Sequence, residues 1–309
     1  MRMKSHHIAL RLLLWAGVFA ALLILFKTFG VTAVRAVSDA ETVLTVQTEE
    51  GPVKMTMAEY LPRAVAAEMP VSFGPEALKA QAVAARSYVL ASRRHEDADI
   101  CTDSGCCLAY RTEDDLRAFW GGDFEANMAA VTAAAAATDG QVLTYDGEII
   151  QAVFHASSAG STEDSAAVWS ARPYLVTVSS PETAETVPDL VTDVTYTPAE
   201  LSERLGLAPD GPPETWLGDP EEDAAGRVRT LAIGGQTFTG AYLRGALALT
   251  STDFLARYDE DANVFVFTAA GKGHGVGMSQ VGARLMADQG WTYDAILAHY
   301  YPGTELTAP

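Results

Sequence analysis

The spacing of hydrophobic and polar positions changes several times along this chain. Val43–Thr48 alternates and reads as a strand, followed by a turn at Glu49–Pro52 and a helix opening at Thr56. Pro75 heads EALKAQAVAARSYVLASRR, whose spacing predicts a long helix running to about Arg94. Asn127–Thr138 is Ala-rich and predicts a helix stopped by Asp139-Gly140. QVLTY and EIIQAVFHAS flank Asp146-Gly147 as the two arms of a hairpin, and RVRTLAIGGQTFTG turns at Gly234-Gly235 as a second. A helix over Ala241–Leu247 and a strand over Asn263–Thr268 follow. Strands and helices do not alternate one for one. The expected class is therefore α+β, with mixed helices and mainly antiparallel hairpins around one groove.

The first residues have a different pattern. MRMKSHHIALR is basic, and Leu12–Phe26 is then uninterrupted apolar. Counted with Ile8–Leu10, the run approaches the roughly 20 residues that span a bilayer. Positive charge ahead of it keeps the N-terminus cytoplasmic. Val34-Arg35-Ala36 is a poor cleavage site, so the expectation is an uncleaved transmembrane signal anchor over residues 1–37. Residues 38–309 would then form one extracytoplasmic domain of a single-pass membrane protein. Within it, residues 181–225 are rich in Pro, Asp and Glu and read as an acidic surface excursion. One short helix is expected there at Thr197–Leu207, opened by a Thr197/Glu200 capping box. The formal net charge of −19 argues against nucleic acid as a partner.

Several segments carry candidate chemistry. The helix after Pro75 holds Glu76 in its first turn, where the dipole favours a carboxylate. Read alone, Glu76 stabilises its helix. Acting as a general acid would need burial to outweigh that dipole. RRHEDADICTDSGCCLAY holds all three cysteines, and five residues separate His95 from Cys101 and Cys101 from Cys107. Imidazole and thiolates on a short loop suit Zn²⁺, although the paired C-x₂-C spacing is absent. A disulfide from Cys101 to Cys106 or Cys107 is the competing reading.

VFHASSAGSTEDSAAVWSARPYL sets His155, Ser157, Ser158 and Thr162 beside a turn, with Trp169 and Tyr174 as possible stacking faces. The G-x-S-x-G elbow of a serine hydrolase is missing, so sugar recognition fits these hydroxyls better. Glu163 and Asp164 are nearby carboxylates with turn-solvating positions. Near the C-terminus, AAGKGHGVGMSQVGARL gathers Gly271, Gly273, Gly275 and Gly277 around His274, then leads through Ser279 and Gln280 into a helix. Neither G-x-G-x-x-G nor a phosphate-binding G-x-x-x-x-G-K-[ST] is present, which excludes the usual nucleotide loops.

Taken together, GPEALKAQAVAARSYVL, the His–Cys–Cys loop with its LAY tail, the Ser/Gly segment, AYLRGALALTSTDF and the glycine loop resemble the stage II sporulation protein D family. That family includes amidase enhancers. The resemblance covers most of Leu44–Leu306 in separated motifs that keep the family order. Ala159 replaces a usual glycine, and Cys106 is an extra residue beside Cys107. The resemblance implies a peptidoglycan lytic transglycosylase acting on stem-stripped glycan strands and leaving 1,6-anhydro-N-acetylmuramic acid ends. It implies Glu76 as the catalytic acid and zinc held by His95, Cys101 and Cys107 in a shaping role. It further implies that His155, Ser157, Ser158, Thr162, His274, Gly275, Ser279 and Gln280 bind substrate, with Ser251, Thr252 and Asp253 supporting the groove. Stage II sporulation proteins P and M are the implied partners, in the intermembrane space during engulfment. The alternative within the resemblance is a non-catalytic enhancer of a separate amidase.

Overall fold

The computed structural model describes residues 37–307 apart from residue 93. The apolar segment Leu12–Phe26 lies outside the described residues. Among the described residues no helix is long and apolar enough to cross a membrane.

The body is mixed α+β with mainly antiparallel sheets, built on two hydrophobic cores. The first core centres on the helix Pro75–Ala91. Ala77, Ala80, Ala82, Ala84 and Ala85 are all fully buried on it. Their small side chains leave thin faces against which Met57–Glu68 and Phe124–Ala137 pack on one side, and Gln280–Asp288 and Tyr293–Tyr300 on the other. Thr56 and Glu59 close a capping box at the head of the Met57 helix. Two small sheets flank the helices. In one, Val43–Thr48 pairs antiparallel with Gly51–Thr56 and parallel with Ile100–Cys101. In the other, Val142–Tyr145 pairs with Glu148–Ile149 and Glu305–Thr307.

Arg86, 1% exposed, pins the central helix to what surrounds it. Its guanidinium donates to both carboxylate oxygens of Asp39, at 2.6 and 2.7 Å, and to the carbonyl of Gln141 at 2.9 Å. Such a bidentate, fully hydrogen-bonded pair satisfies a charge that would otherwise be costly to bury.

The second core lies between two antiparallel sheets. One has Val264–Ala270 between Phe254–Asp259 and Val191–Tyr196, and the other has Val228–Ile233 between Gln236–Thr239 and Glu221–Glu222. Phe265 and Phe267 are fully buried there, each worth about 1.5–3 kcal/mol of apolar burial. Residues 181–225 are therefore not merely an acidic excursion. They supply the strand Val191–Tyr196, the helix Pro198–Leu205 and buried Leu201, Leu205 and Trp216. The Thr197/Glu200 capping box forms as expected. Most of the acidic residues occupy exposed positions between sparse apolar anchors, and those anchors make the core.

A second departure concerns the hairpin at Asp146-Gly147. Only Glu148–Ile149 returns along the first arm. The chain then leaves, and Phe154–His155 pairs in parallel with Met278–Ser279. This non-local pairing joins the Ser/Gly segment to the glycine loop.

Candidate active site

Three cavities share lining residues in series. The first, about 500 Å³, runs from the end of the Met57 helix past Arg111, Phe119 and Trp120. The second, about 280 Å³, is walled by Tyr88, Cys106, Cys107, Trp169 and His274. The third, about 370 Å³, takes in Glu163, Asp223, Arg244 and Thr252. Glu68 lines the first and second, and His274 lines the second and third. The series thus leads from the first core to side chains of the second.

Glu68 is the one carboxylate among the described residues lining the middle cavity. It closes the last turn of the helix Met57–Glu68, where the helix dipole disfavours negative charge. Its Oε1 accepts the Ala109 N–H at 2.5 Å. Burial raises its pKa, and that single donor offsets the rise only in part. These properties favour the protonated form of the carboxyl group.

Glu76, the residue expected from the sequence as the acid, lies elsewhere and is differently held. It lines none of these three cavities. Its carboxylate accepts from Lys79 Nζ at 2.7 Å and from the Tyr293 N–H at 2.8 Å. Burial alone would raise its pKa. The two donors outweigh that and hold it below the ordinary carboxylate range. Glu76 ties the start of the central helix to the helix Tyr293–Tyr300.

The glycine loop packs against its own chain. Gly273 has φ +117°, and a Cβ there would meet the His155 Cβ at 2.8 Å. Gly277 has φ +73°, and its Cβ would strike the Val153 carbonyl. Glycine serves here for close backbone approach within the protein. His274 Nδ1 accepts the Val276 N–H at 3.1 Å, which leaves the proton of the neutral ring on Nε2. Burial lowers its pKa to about 4, helped by the charge of Arg244, so the ring is neutral near pH 7. The Trp169 and His274 ring centroids lie 5.0 Å apart, and Trp169 remains 56% exposed. An exposed indole over a cavity wall is a ready stacking face for a sugar. Tyr174, the other expected stacking residue, is buried in the first core.

The other expected substrate contacts form the support behind this wall. His155 is buried, with Nδ1 3.2 Å from the Val276 carbonyl and Nε2 2.6 Å from Ser158 Oγ. Desolvation lowers its pKa to about 3. Ser157 bridges to Lys272 through backbone hydrogen bonds. Thr162 is fully buried against the Val176 and Val178 carbonyls. Gly275 has φ +80° and its carbonyl accepts the Glu163 N–H at 2.8 Å. Ser279 caps the helix Gln280–Asp288 through the Gly282 N–H. Gln280 Nε2 donates to Gln81 Oε1 at 3.3 Å. Of the eight expected contacts, only His274 lines a cavity of the series. Ser251 is spent on the Ala270 carbonyl at 2.6 Å, while its neighbour Thr252 lines the third cavity.

Glu182, unnoticed in the sequence, joins these supports. Buried, it accepts the Ser158 N–H at 2.9 Å and the Ser279 hydroxyl, fixing the two segments together. Glu163 is also buried. Burial and a hydrogen bond that its protonated form donates to Asp223 push its pKa up to about 7, despite Arg227 at 3.3 Å.

His95, Cys101, Cys106 and Cys107 form a cluster able to hold a metal, their ligand atoms all within 4.8 Å of one another. Cys106 is therefore a full member, against the expectation that it stands aside. The cysteines are free thiols, not a disulfide. His95 Nε2 lies 3.3 Å from Cys107 Sγ and 3.7 Å from Cys106 Sγ, and the two sulfurs are 3.8 Å apart. Tetrahedral Zn–S and Zn–N bonds place ligand atoms roughly 3.5–3.8 Å apart, and the soft sulfur and imidazole donors of this set suit zinc. Burial pushes the Cys107 thiol up to about 12, and a bound dication would supply the charge that ionises it. Four protein ligands on one ion would make a closed site, the arrangement of structural zinc.

Comparison with known proteins agrees with these motifs. The Stage II sporulation protein family model matches residues 48–145. Stage II sporulation protein D of Bacillus subtilis (strain 168) is 37% identical over 259 residues, covering 81% of this chain and 74% of that protein. Its counterpart from Bacillus amyloliquefaciens is 36% identical over the same shares. An amidase enhancer of Bacillus subtilis (strain 168) is 28% identical over 298 residues, which is 78% of this chain and 39% of that protein.

Proposed function

The chain belongs to the stage II sporulation protein D family, and from that premise we propose that it is a peptidoglycan lytic transglycosylase whose acid is Glu68. The observation carrying this reading is a half-buried carboxyl group with a raised pKa in a cavity faced by Trp169 and His274. The substrate is a glycan strand laid through the three cavities.

Glu68 donates its proton to the glycosidic oxygen between N-acetylmuramic acid and N-acetylglucosamine, and the C1–O bond breaks. The resulting carboxylate then takes the proton of the muramoyl 6-hydroxyl as that oxygen bonds to C1. One group serves both steps, no water enters, and the new end is a 1,6-anhydro sugar. The two-carboxylate hydrolytic scheme is not needed. Trp169 stacks on a sugar face, beside the uncharged ring of His274. Zinc, held by His95, Cys101, Cys106 and Cys107, fixes the loop that forms the cavity wall and the Ala109 N–H.

Residues 1–37 anchor the protein in the cell membrane with residues 38–309 outside the cytoplasm. There it acts on the wall during engulfment, in the intermembrane space, beside stage II sporulation proteins P and M. The similarity to an amidase enhancer favours one other reading, a non-catalytic wall-binding modifier of an amidase. Incubation of the protein with stem-stripped strands, followed by mass spectrometry, separates the two. The enzyme yields anhydro ends, and the modifier leaves the strands intact.

A further inference from the structure

The third cavity contains a guanidinium that the mechanism above does not use. Arg244 stands in the last turn of the helix Gly240–Ala246, next to buried Leu243. It is half-buried and lines the cavity with His274, Thr230, Thr239 and Thr252. Among the described residues no hydrogen bond, ion pair or ring contact engages its side chain. The nearby acids are already committed. Glu163 faces Arg227 at 3.3 Å, and Arg227 also donates to the Ser161 carbonyl at 3.0 Å. Asp223 Oδ1 accepts the N–H groups of Ala225 and Arg227, at 2.9 and 3.0 Å. A half-desolvated cation without a partner is costly, and such a cost is recovered when a ligand brings the opposite charge. Arg229 adds a second, exposed cation on the same cavity, in a chain of formal net charge −19.

We propose that Arg244 is a specificity-determining residue that takes the free lactyl carboxylate of a muramoyl residue in the bound strand. The inference rests on the glycan reading given above. The planar fork of a guanidinium matches a carboxylate bidentately. On a peptidoglycan strand, the lactyl carboxylate is free where no stem peptide is attached. Where a stem is present, that group is an amide, without charge and with one fewer acceptor. Arg244 thereby reads the absence of the stem through the charge its removal exposes, and a bare N-acetylglucosamine polymer offers it nothing.

The test is equilibrium binding of the full chain to two preparations of the same stem-stripped strands. One keeps its lactyl carboxylates, and the other has them converted to methylamides. All chains carry Glu68→Gln so that the strands stay intact, as mass spectrometry checks, and the wild type at position 244 is compared with its variants in that background. The chain with wild-type Arg244 should bind the free-acid strands about tenfold to a hundredfold more tightly, as a charge-assisted bond does. Arg244→Gln should bring that ratio near one, and Arg244→Lys should restore part of it, with unchanged melting temperature. A merely structural role would weaken both strands alike and leave the ratio standing, which overturns the proposal. Equal wild-type affinities for the two strands also overturn it while leaving the glycan reading intact. If neither strand binds, that reading fails and this one fails with it.

Discussion

Glu68 and Glu76 stand eight positions apart and meet opposite environments. Glu76 opens a helix, accepts two donors and has its pKa lowered. Glu68 ends the preceding helix, accepts one backbone N–H and has its pKa raised by burial. The helix dipole works with the first carboxylate and against the second. A carboxylate content with its surroundings is a poor proton donor, so the disfavoured one is the better candidate for chemistry.

Exchanging each carboxyl for an amide would sharpen this comparison most. Glu68→Gln should lower turnover of stem-stripped strands by about 10²–10⁴-fold, with glycan binding and folding retained. Glu76→Gln should keep turnover within a few-fold. The reverse pattern would return the acid to the start of the central helix. The acid also sets the pH dependence. Glu68 must be protonated to begin the reaction, so activity should be present below its raised pKa and fall as pH climbs through it. Glu76 acts in the opposite sense on stability. Its folded pKa is depressed, so its contribution is present above the unfolded value, near 4.5, and is lost as pH falls through the folded one. A melting-temperature series from about pH 6 down to 3 should lose part of that decline in Glu76→Gln.

The two ends of the central helix also differ in what stabilises them. Beyond its C-terminus lies the His–Cys cluster, and at its N-terminus lies the Glu76–Lys79 pair, which is partly exposed. Cys106→Ser should therefore reduce zinc content and lower the melting temperature by several degrees or more, because metal affinity is folding energy. Retained zinc in Cys106→Ser would restore the three-ligand reading. Glu76→Ala should cost about 1 kcal/mol or less, as exposed pairs do. Between these effects, Trp169→Ala should weaken strand binding about two- to tenfold with little change in kcat. An unchanged KM would remove Trp169 from the substrate path.

Local features were the ones legible in the sequence. The strand Val43–Thr48, the hairpin at Gly234-Gly235 and the Thr197/Glu200 capping box all depend on neighbours a few residues away. The features that escaped depend on distant partners. Phe154–His155 reads as a hairpin arm, yet it pairs with Met278–Ser279 more than a hundred positions on. That pairing buries His155 and Ser158 behind the wall on which they were expected to bind sugar. The acidic run 181–225 hid Leu201, Leu205 and Trp216, whose spacing is too sparse to announce a core. Cys106 fell outside an even spacing, because a turn at Asp103–Cys107 brings both neighbouring thiols round to His95. Glu68 did leave a signal. A glutamate in the last turn of a helix, after buried Ala64, Val65 and Ala66, sits against both dipole and solvent.

The central claim is that one half-buried carboxyl group cleaves glycan without water. Stem-stripped strands incubated in H₂¹⁸O with the wild-type chain and with Glu68→Gln, then analysed by mass spectrometry, test it most directly. The account predicts 1,6-anhydro ends free of ¹⁸O from the wild-type chain, and intact strands from Glu68→Gln. Reducing ends carrying ¹⁸O, or anhydro ends formed at the wild-type rate by Glu68→Gln, would contradict it.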